Sequence, residues 1–126
     1  MILWFEKNSK VSLIIAVLIT LAMFYFSSLT FEAGSGSGGS INAILYHLIA
    51  YFFLALFLNF SLVKGKNIKF ILIVILASVL YGITDEIHQY FVPGRSASVL
   101  DIGINFTGIM LASLFYLVSI EYRKKN

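Results

Sequence analysis

Residues 81–105 concentrate the side chains that can do chemistry: Asp85, Glu86, His88, Gln89, Arg95, Asp101 and Asn105, with His47 standing apart upstream. On a helix, Asp85 and His88 at i and i+3 are surface neighbours, and with Gln89 they share an arc of roughly 100°, Tyr81 and Val92 on the same side and Glu86 beside it. An Asp and a His so spaced can ligate one metal ion, act as a base with its orienting partner, or simply hydrogen-bond. The spacing leaves all three open. His88 and His47 are the acid–base candidates, and Asp85 and Glu86 are their partners. Arg95 offers a bidentate fork for a phosphate or carboxylate, and it can equally neutralise Asp85, Glu86 or Asp101. Asp101 has a structural alternative, because Ser98-Val99-Leu100-Asp101 reads as a capping box with Asp101 reaching back to Ser98. Asn105, Gly108 and Ala112 follow it at i+4, i+7 and i+11, a small and polar stripe suited to close helix packing in membranes. Asn105 suits either packing or a ligand.

The elements that carry these residues follow from composition. Of 126 residues, 60% are apolar and 12% charged, against roughly 45–50% and about 25% in soluble domains. A soluble fold this small cannot hide so much apolar surface. Disorder is excluded by the low charge and by 12 Phe and 7 Tyr, because such side chains drive burial. Cysteine is absent, which removes disulfides, a thiol nucleophile and Cys-ligated zinc or iron–sulfur sites. No cofactor is named by the sequence.

Four apolar stretches, residues 11–29, 41–63, 68–92 and 99–120, each reach the roughly 20 residues a helix needs to cross a bilayer. No period-2 alternation supports a barrel, so these are predicted to be helices. The expected fold is an all-α bundle of four transmembrane helices forming a single domain. The first apolar run is longer than a signal-peptide core and no small-x-small site follows it, so it is expected to remain uncleaved. Residues 33–40 form a Gly/Ser linker, residues 64–67 a tight basic turn, and Pro93-Gly94 fits positions i+1 and i+2 of a type II turn.

Charge then orients the bundle. Lys7, Lys10, Lys64, Lys66, Lys69, Arg123, Lys124 and Lys125, eight of the nine basic residues, fall on one side of a four-span chain. The positive-inside rule makes that side cytoplasmic, with both termini on it. The pI near 9.2 then needs no nucleic acid to explain it. Trp4 and Tyr122 read as interfacial anchors. At roughly 1.5 Å per residue, His47, Asp85, Glu86, His88, Gln89, Asp101 and Asn105 all lie in the outer third of the bundle. Glu32 and Arg95 sit in the outer loops. Ionisable groups at such depth cost several kcal/mol unless they are paired or face a wet cavity, so their clustering marks a candidate site facing outside.

The run Tyr81-Gly82-Ile83-Thr84-Asp85-Glu86-Ile87-His88-Gln89-Tyr90-Phe91-Val92-Pro93-Gly94-Arg95, followed by Asp101, Gly103 and Asn105, is far more specific than its parts. It resembles the VanZ-like family of small membrane proteins, whose hallmark is D-E-x-H-Q-x-F-x-P-G-R followed by an Asp, an Asn and a Gly. His47 before Leu48-Ile49-Ala50-Tyr51-Phe52 is similar to that family's second hallmark, and Phe26-Ser27-Ser28 also fits the pattern. The family often has an acidic-Lys pair before the His, where this chain has Leu45-Tyr46. The resemblance implies a cell-membrane protein related to resistance to teicoplanin, a glycopeptide antibiotic acting on the cell envelope. It also implies that the eight residues His47, Asp85, Glu86, His88, Gln89, Arg95, Asp101 and Asn105 are a shared polar signature.

Three functions are compatible with these residues. The first is a site that binds or acts on a membrane lipid or a lipid-linked envelope intermediate. There the catalytic candidates are His88, Asp85, Glu86 and His47, and the ligand contacts are Arg95, Gln89, Asp101 and Asn105. No nucleophile stands out; Ser96 and Ser98 are loop and cap residues. The second is a non-enzymatic envelope or scaffold protein whose polar cluster locks the bundle. The third is a small transporter or flippase working as an oligomer, against which the inner half of the bundle carries no ionisable relay beyond Lys69 at its edge.

Overall fold

A computed structural model describes residues 1–30, 41–95 and 97–125. Glu32, the Gly/Ser linker and Ser96 lie outside the described residues. The chain forms α1 (Ile2–Lys7), α2 (Ser9–Ser27), α3 (Ile41–Leu62), α4 (Phe70–Tyr90) and α5 (Val99–Lys125), and among the described residues there is no strand. Four of these, α2 to α5, are long and apolar enough to cross a membrane. The expected all-α, multi-pass membrane architecture is therefore the one observed.

The short α1 is the element that hydropathy does not signal. Asn8 ends it, at φ −97° and ψ 53°, with both its backbone N–H and its side-chain amide donating to the Trp4 carbonyl at 2.9 Å. Asn competes for backbone groups in this way and favours helix ends. The chain resumes as α2 after one residue.

Helix α3 is the centre of the bundle and packs against every other helix, most extensively against α5 and then α2. Close approach of α3 and α5 depends on Gly108. A Cβ there would lie 2.5 Å from the Leu48 carbonyl oxygen and 3.1 Å from the Phe52 amide nitrogen. Both are backbone atoms, which cannot step aside as a flexible side chain can. Ala55 and Ala112, fully buried, extend the same small-residue packing, which drives helix association where lipid removes the hydrophobic incentive. Large apolar side chains point outward instead: Ile14, Leu18 and Leu21 of α2, Leu72, Leu76 and Leu80 of α4, and Leu114 and Val118 of α5 are all exposed. An apolar exterior around a core of small, aromatic and polar residues suits lipid as the surrounding solvent.

Two turns behave as their residue types dictate. Gly94 has φ +79°, and the Arg95 amide closes the turn onto the Val92 carbonyl at 3.1 Å, so Pro93-Gly94 takes the type II geometry in which the third position needs positive φ. Gly65 at φ +67° sits within the α3–α4 turn, and its N–H donates to the Tyr116 hydroxyl at 2.8 Å. This end of the bundle also holds Glu6, 8% exposed. Its carboxylate accepts from the Tyr116 hydroxyl at 2.6 Å and from two Arg123 nitrogens at 2.8 Å. Burial pushes the Glu6 carboxyl up, but the Arg123 and Tyr116 hydrogen bonds and the Arg123 charge outweigh it, holding it below the ordinary value.

Candidate functional site

The opposite end of the bundle gathers a second polar cluster from three helices. His47 comes from the first turns of α3, Asp85, Glu86 and Gln89 from the last turns of α4, and Asp101 and Asn105 from the start of α5. All six are buried, at 2–6% exposure. Such burial is unusual for ionisable groups and requires partners.

The partners fall into two linked sets. In the first, His47 Nδ1 lies 2.9 Å from Asn105 Oδ1. A carbonyl oxygen can only accept, so Nδ1 is the donor in this pairing and Nε2 faces away from it. His47 stacks on Tyr51, one turn along α3. In the second set, Asp85 Oδ2 accepts from the Tyr51 hydroxyl at 3.3 Å and from the Gln89 amide at 3.1 Å. Tyr51 therefore joins the His47 set to the Asp85 set. Gly82 makes room for it: a Cβ at Gly82 would meet the Tyr51 ring at 3.3 Å and the Asn105 amide nitrogen at 3.6 Å.

Glu86 sits beside both sets. Its Oε2 accepts the Ser98 backbone N–H at 3.2 Å. That is the arm of the capping box expected of Asp101; the Ser98 hydroxyl supplies the other, accepting from the Leu100 N–H at 3.1 Å. With Glu86 reaching across from α4 to cap α5, Asp101 turns inward. One ligand atom each from His47, Glu86 and Asp101 then lie within 4.8 Å of one another. Hydrogen bonding remains incomplete here: Glu86 Oε1, Asp85 Oδ1 and Asn105 Nδ2 are buried without a partner.

His88 is placed differently from Asp85, although the two are three residues apart. Its Nε2 lies 3.0 Å from Ser28 Oγ, and its ring stacks on Phe24 at 4.7 Å. The Ser28 hydroxyl already donates to the Phe24 carbonyl at 2.7 Å, so it accepts from His88. His88 thus ties α4 to the end of α2, while Asp85 faces α3. Arg95 also reaches α2, donating from Nε to the Leu29 carbonyl at 3.2 Å and from Nη2 to the Phe26 carbonyl. A guanidinium at the C-terminal end of α2 adds donors to carbonyls there and faces the negative end of the helix dipole.

Two cavities flank the cluster. One of about 340 Å³ is lined by Phe26, Leu29, Ala43, Tyr46, His47 and Arg95. Another of about 370 Å³ lies between the ends of α4 and α5, with Glu86 and Ser98 among walls formed by Ile83, Ile87, Phe91 and Val99. Each combines apolar walls with a polar group that belongs to, or adjoins, the buried cluster.

Tyr51, Gly82 and Ser28 are the residues that composition and depth did not single out. Tyr51 is four residues after His47 and Gly82 is three before Asp85, so helical spacing carried a signal for both. For Ser28 only the family pattern at Phe26-Ser27-Ser28 pointed to it, because its contact to His88 spans 60 residues.

Fold and cluster together define a small multi-pass membrane protein with a buried polar site at one end of a helical bundle. A family model described as VanZ/LLP1 matches residues 3–120, and the chain belongs to that family. No curated protein and no solved structure matches it.

Proposed function

We propose that this protein works in the cell membrane with its polar cluster facing outside, where it binds the anionic headgroup of a membrane lipid or lipid-linked envelope intermediate. The observation that carries this reading is the cavity shared by His47 and Arg95. Apolar walls from Phe26, Leu29 and Tyr46 suit acyl or prenyl carbons. The Arg95 guanidinium suits a phosphate or carboxylate, and His47 suits a hydrogen-bonded or acid–base contact below it. The excess of Lys and Arg at the terminal end supports the orientation through the positive-inside rule. Family membership supports a role in the envelope, and with it a link to teicoplanin resistance.

Acid–base work on the bound headgroup falls to the groups nearest the cavities: His47 through Nε2, with Glu86 and Asp85 as charged partners and His88 at the α2 side. Gln89, Asp101 and Asn105 hold or contact these groups. The test is binding of headgroup-labelled phosphatidylglycerol by the detergent-purified protein, with phosphatidylcholine as the comparison. His47→Gln and Arg95→Ala are expected to weaken phosphatidylglycerol binding at least tenfold in protein that remains folded at the assay temperature. Undiminished binding by both variants sinks the reading. A parallel fall in stability and function would instead favour a structural lock, and headgroup-specific flux in proteoliposomes a transporter.

A further inference from the structure

We infer that His47, Glu86 and Asp101 form a binding site for one divalent transition-metal ion of the Mn²⁺ or Zn²⁺ kind. The inference shares His47 and Glu86 with the lipid reading but rests on a different observation. It starts from three side chains on three different helices, all buried, whose ligand atoms lie within 4.8 Å of one another. Bonds of 2.0–2.2 Å in a tetrahedral site put ligand atoms roughly 3.4 Å apart. A bound ion would draw the three atoms from their present spacing of at most 4.8 Å to that distance.

Three further features point to a cation. Glu86, 3% exposed, has Oε1 without a partner, so a carboxylate oxygen is buried with capacity unspent. His47 has the orientation of a metal-ligating imidazole: Nδ1–H donates to Asn105 Oδ1 at 2.9 Å, which leaves Nε2 as the ligand and fixes the ring, as the outer-shell partner of such a histidine does. Charge is the third. Glu86 and Asp101 are two buried carboxyls side by side, and a divalent ion would neutralise the two negative charges they carry once deprotonated. Between described residues, ion pairs form only at Arg123–Glu6 and Lys124–Glu121, at the opposite end.

One imidazole nitrogen with two carboxylate oxygens is a mixed donor set. Imidazole disfavours Ca²⁺ and Mg²⁺, and the absence of sulfur disfavours Cu⁺, so the set suits a divalent first-row ion, of which Mn²⁺ and Zn²⁺ are the probes chosen. The pair Asp85 and His88 is an alternative the sequence offered, but those residues face α3 and α2 respectively.

The full chain, purified in detergent without added phospholipid and stripped with chelator, is titrated with MnCl₂ and separately with ZnCl₂. Binding of one ion per chain is expected, accompanied by a rise in unfolding temperature. Glu86→Gln, Asp101→Asn and His47→Gln are each expected to weaken it more than tenfold, and Asn105→Ala by about 10–100-fold through the histidine it orients. Glu121→Gln, at the far end, should bind as the parent does. Pulsed EPR of the Mn²⁺-loaded parent supplies a readout that needs no variant to fold, and coupling to one imidazole nitrogen is expected. Absence of stoichiometric binding, absence of that coupling, or loss of binding on Asp85→Asn and His88→Gln in place of the three named variants would overturn the assignment. Phosphatidylglycerol binding measured on the same metal-free protein reports on the lipid site alone.

Discussion

Each end of this bundle buries a carboxylate-centred cluster, and the two are built to opposite standards. At the terminal end, Glu6 receives three hydrogen bonds of 2.6–2.8 Å, from Tyr116 and twice from Arg123. At the other end, Asp85, Glu86 and Asp101 share one neighbourhood with His47, and three polar atoms of the cluster have no partner. A carboxylate locked to a guanidinium and a phenol has little left to offer a ligand. Its geometry fastens α1, α5 and the α3–α4 turn together. Unsatisfied buried polar atoms are costly, and those of this cluster lie where a ligand would complete the set. The contrast separates a clamp from a site more sharply than residue type does, since both clusters contain Glu, Tyr and a basic side chain.

The largest effect is expected from Gly108→Ala, which sets a methyl group against the backbone of α3 and loosens the α3–α5 contact that supports both ends. A loss of about 2–3 kcal/mol, read as thermal unfolding in detergent, is expected from overpacking of this kind. Next comes Arg123→Ala, which leaves Glu6 buried with only its Tyr116 bond. About 2 kcal/mol is expected, the scale of hydrogen bonds to a charged group. If that variant unfolds like the parent, the terminal cluster is not a clamp.

Acid should separate the two ends further. Because the folded protein holds Glu6 below the ordinary 4.5, the clamp's contribution is fully present above that pH and is lost as pH falls through the lower folded value. The acid limb of a stability–pH profile should therefore flatten in Arg123→Ala. The smallest effect on stability is expected at the opposite cluster. Glu86→Gln keeps an oxygen for the Ser98 N–H and replaces only the carboxyl oxygen that lacks a partner, so metal-free stability should move by no more than about 0.5 kcal/mol. A loss as large as that of Arg123→Ala would make the second cluster a clamp as well.

The four membrane helices, both turns and the grouping of polar residues at one end were legible in the chain, because hydropathy, Pro-Gly chemistry and rise per residue are local quantities. Partner choice was not. Helical spacing put Asp85, His88 and Gln89 on one arc, and the Asp85–Gln89 bond is there at 3.1 Å. Yet His88, at the edge of that arc, meets Ser28 of α2. An arc of 100° is wide enough to touch two neighbouring helices, and only their positions decide which residue faces which. The capping box shows the same limit: Ser98 caps α5, but Glu86 of α4 takes the arm assigned to Asp101.

By itself, then, the sequence determined that this is a helical membrane protein and that its scarce charges sort to two ends. Its composition leaves no soluble alternative, and charge at membrane depth is expensive wherever it falls. Tertiary structure alone decided which of those charges are spent on one another. Glu6 and Arg123 are 117 residues apart, and His47 and Asn105 are 58 apart. No local pattern encodes such pairings, since they arise from how the helices meet across the bundle.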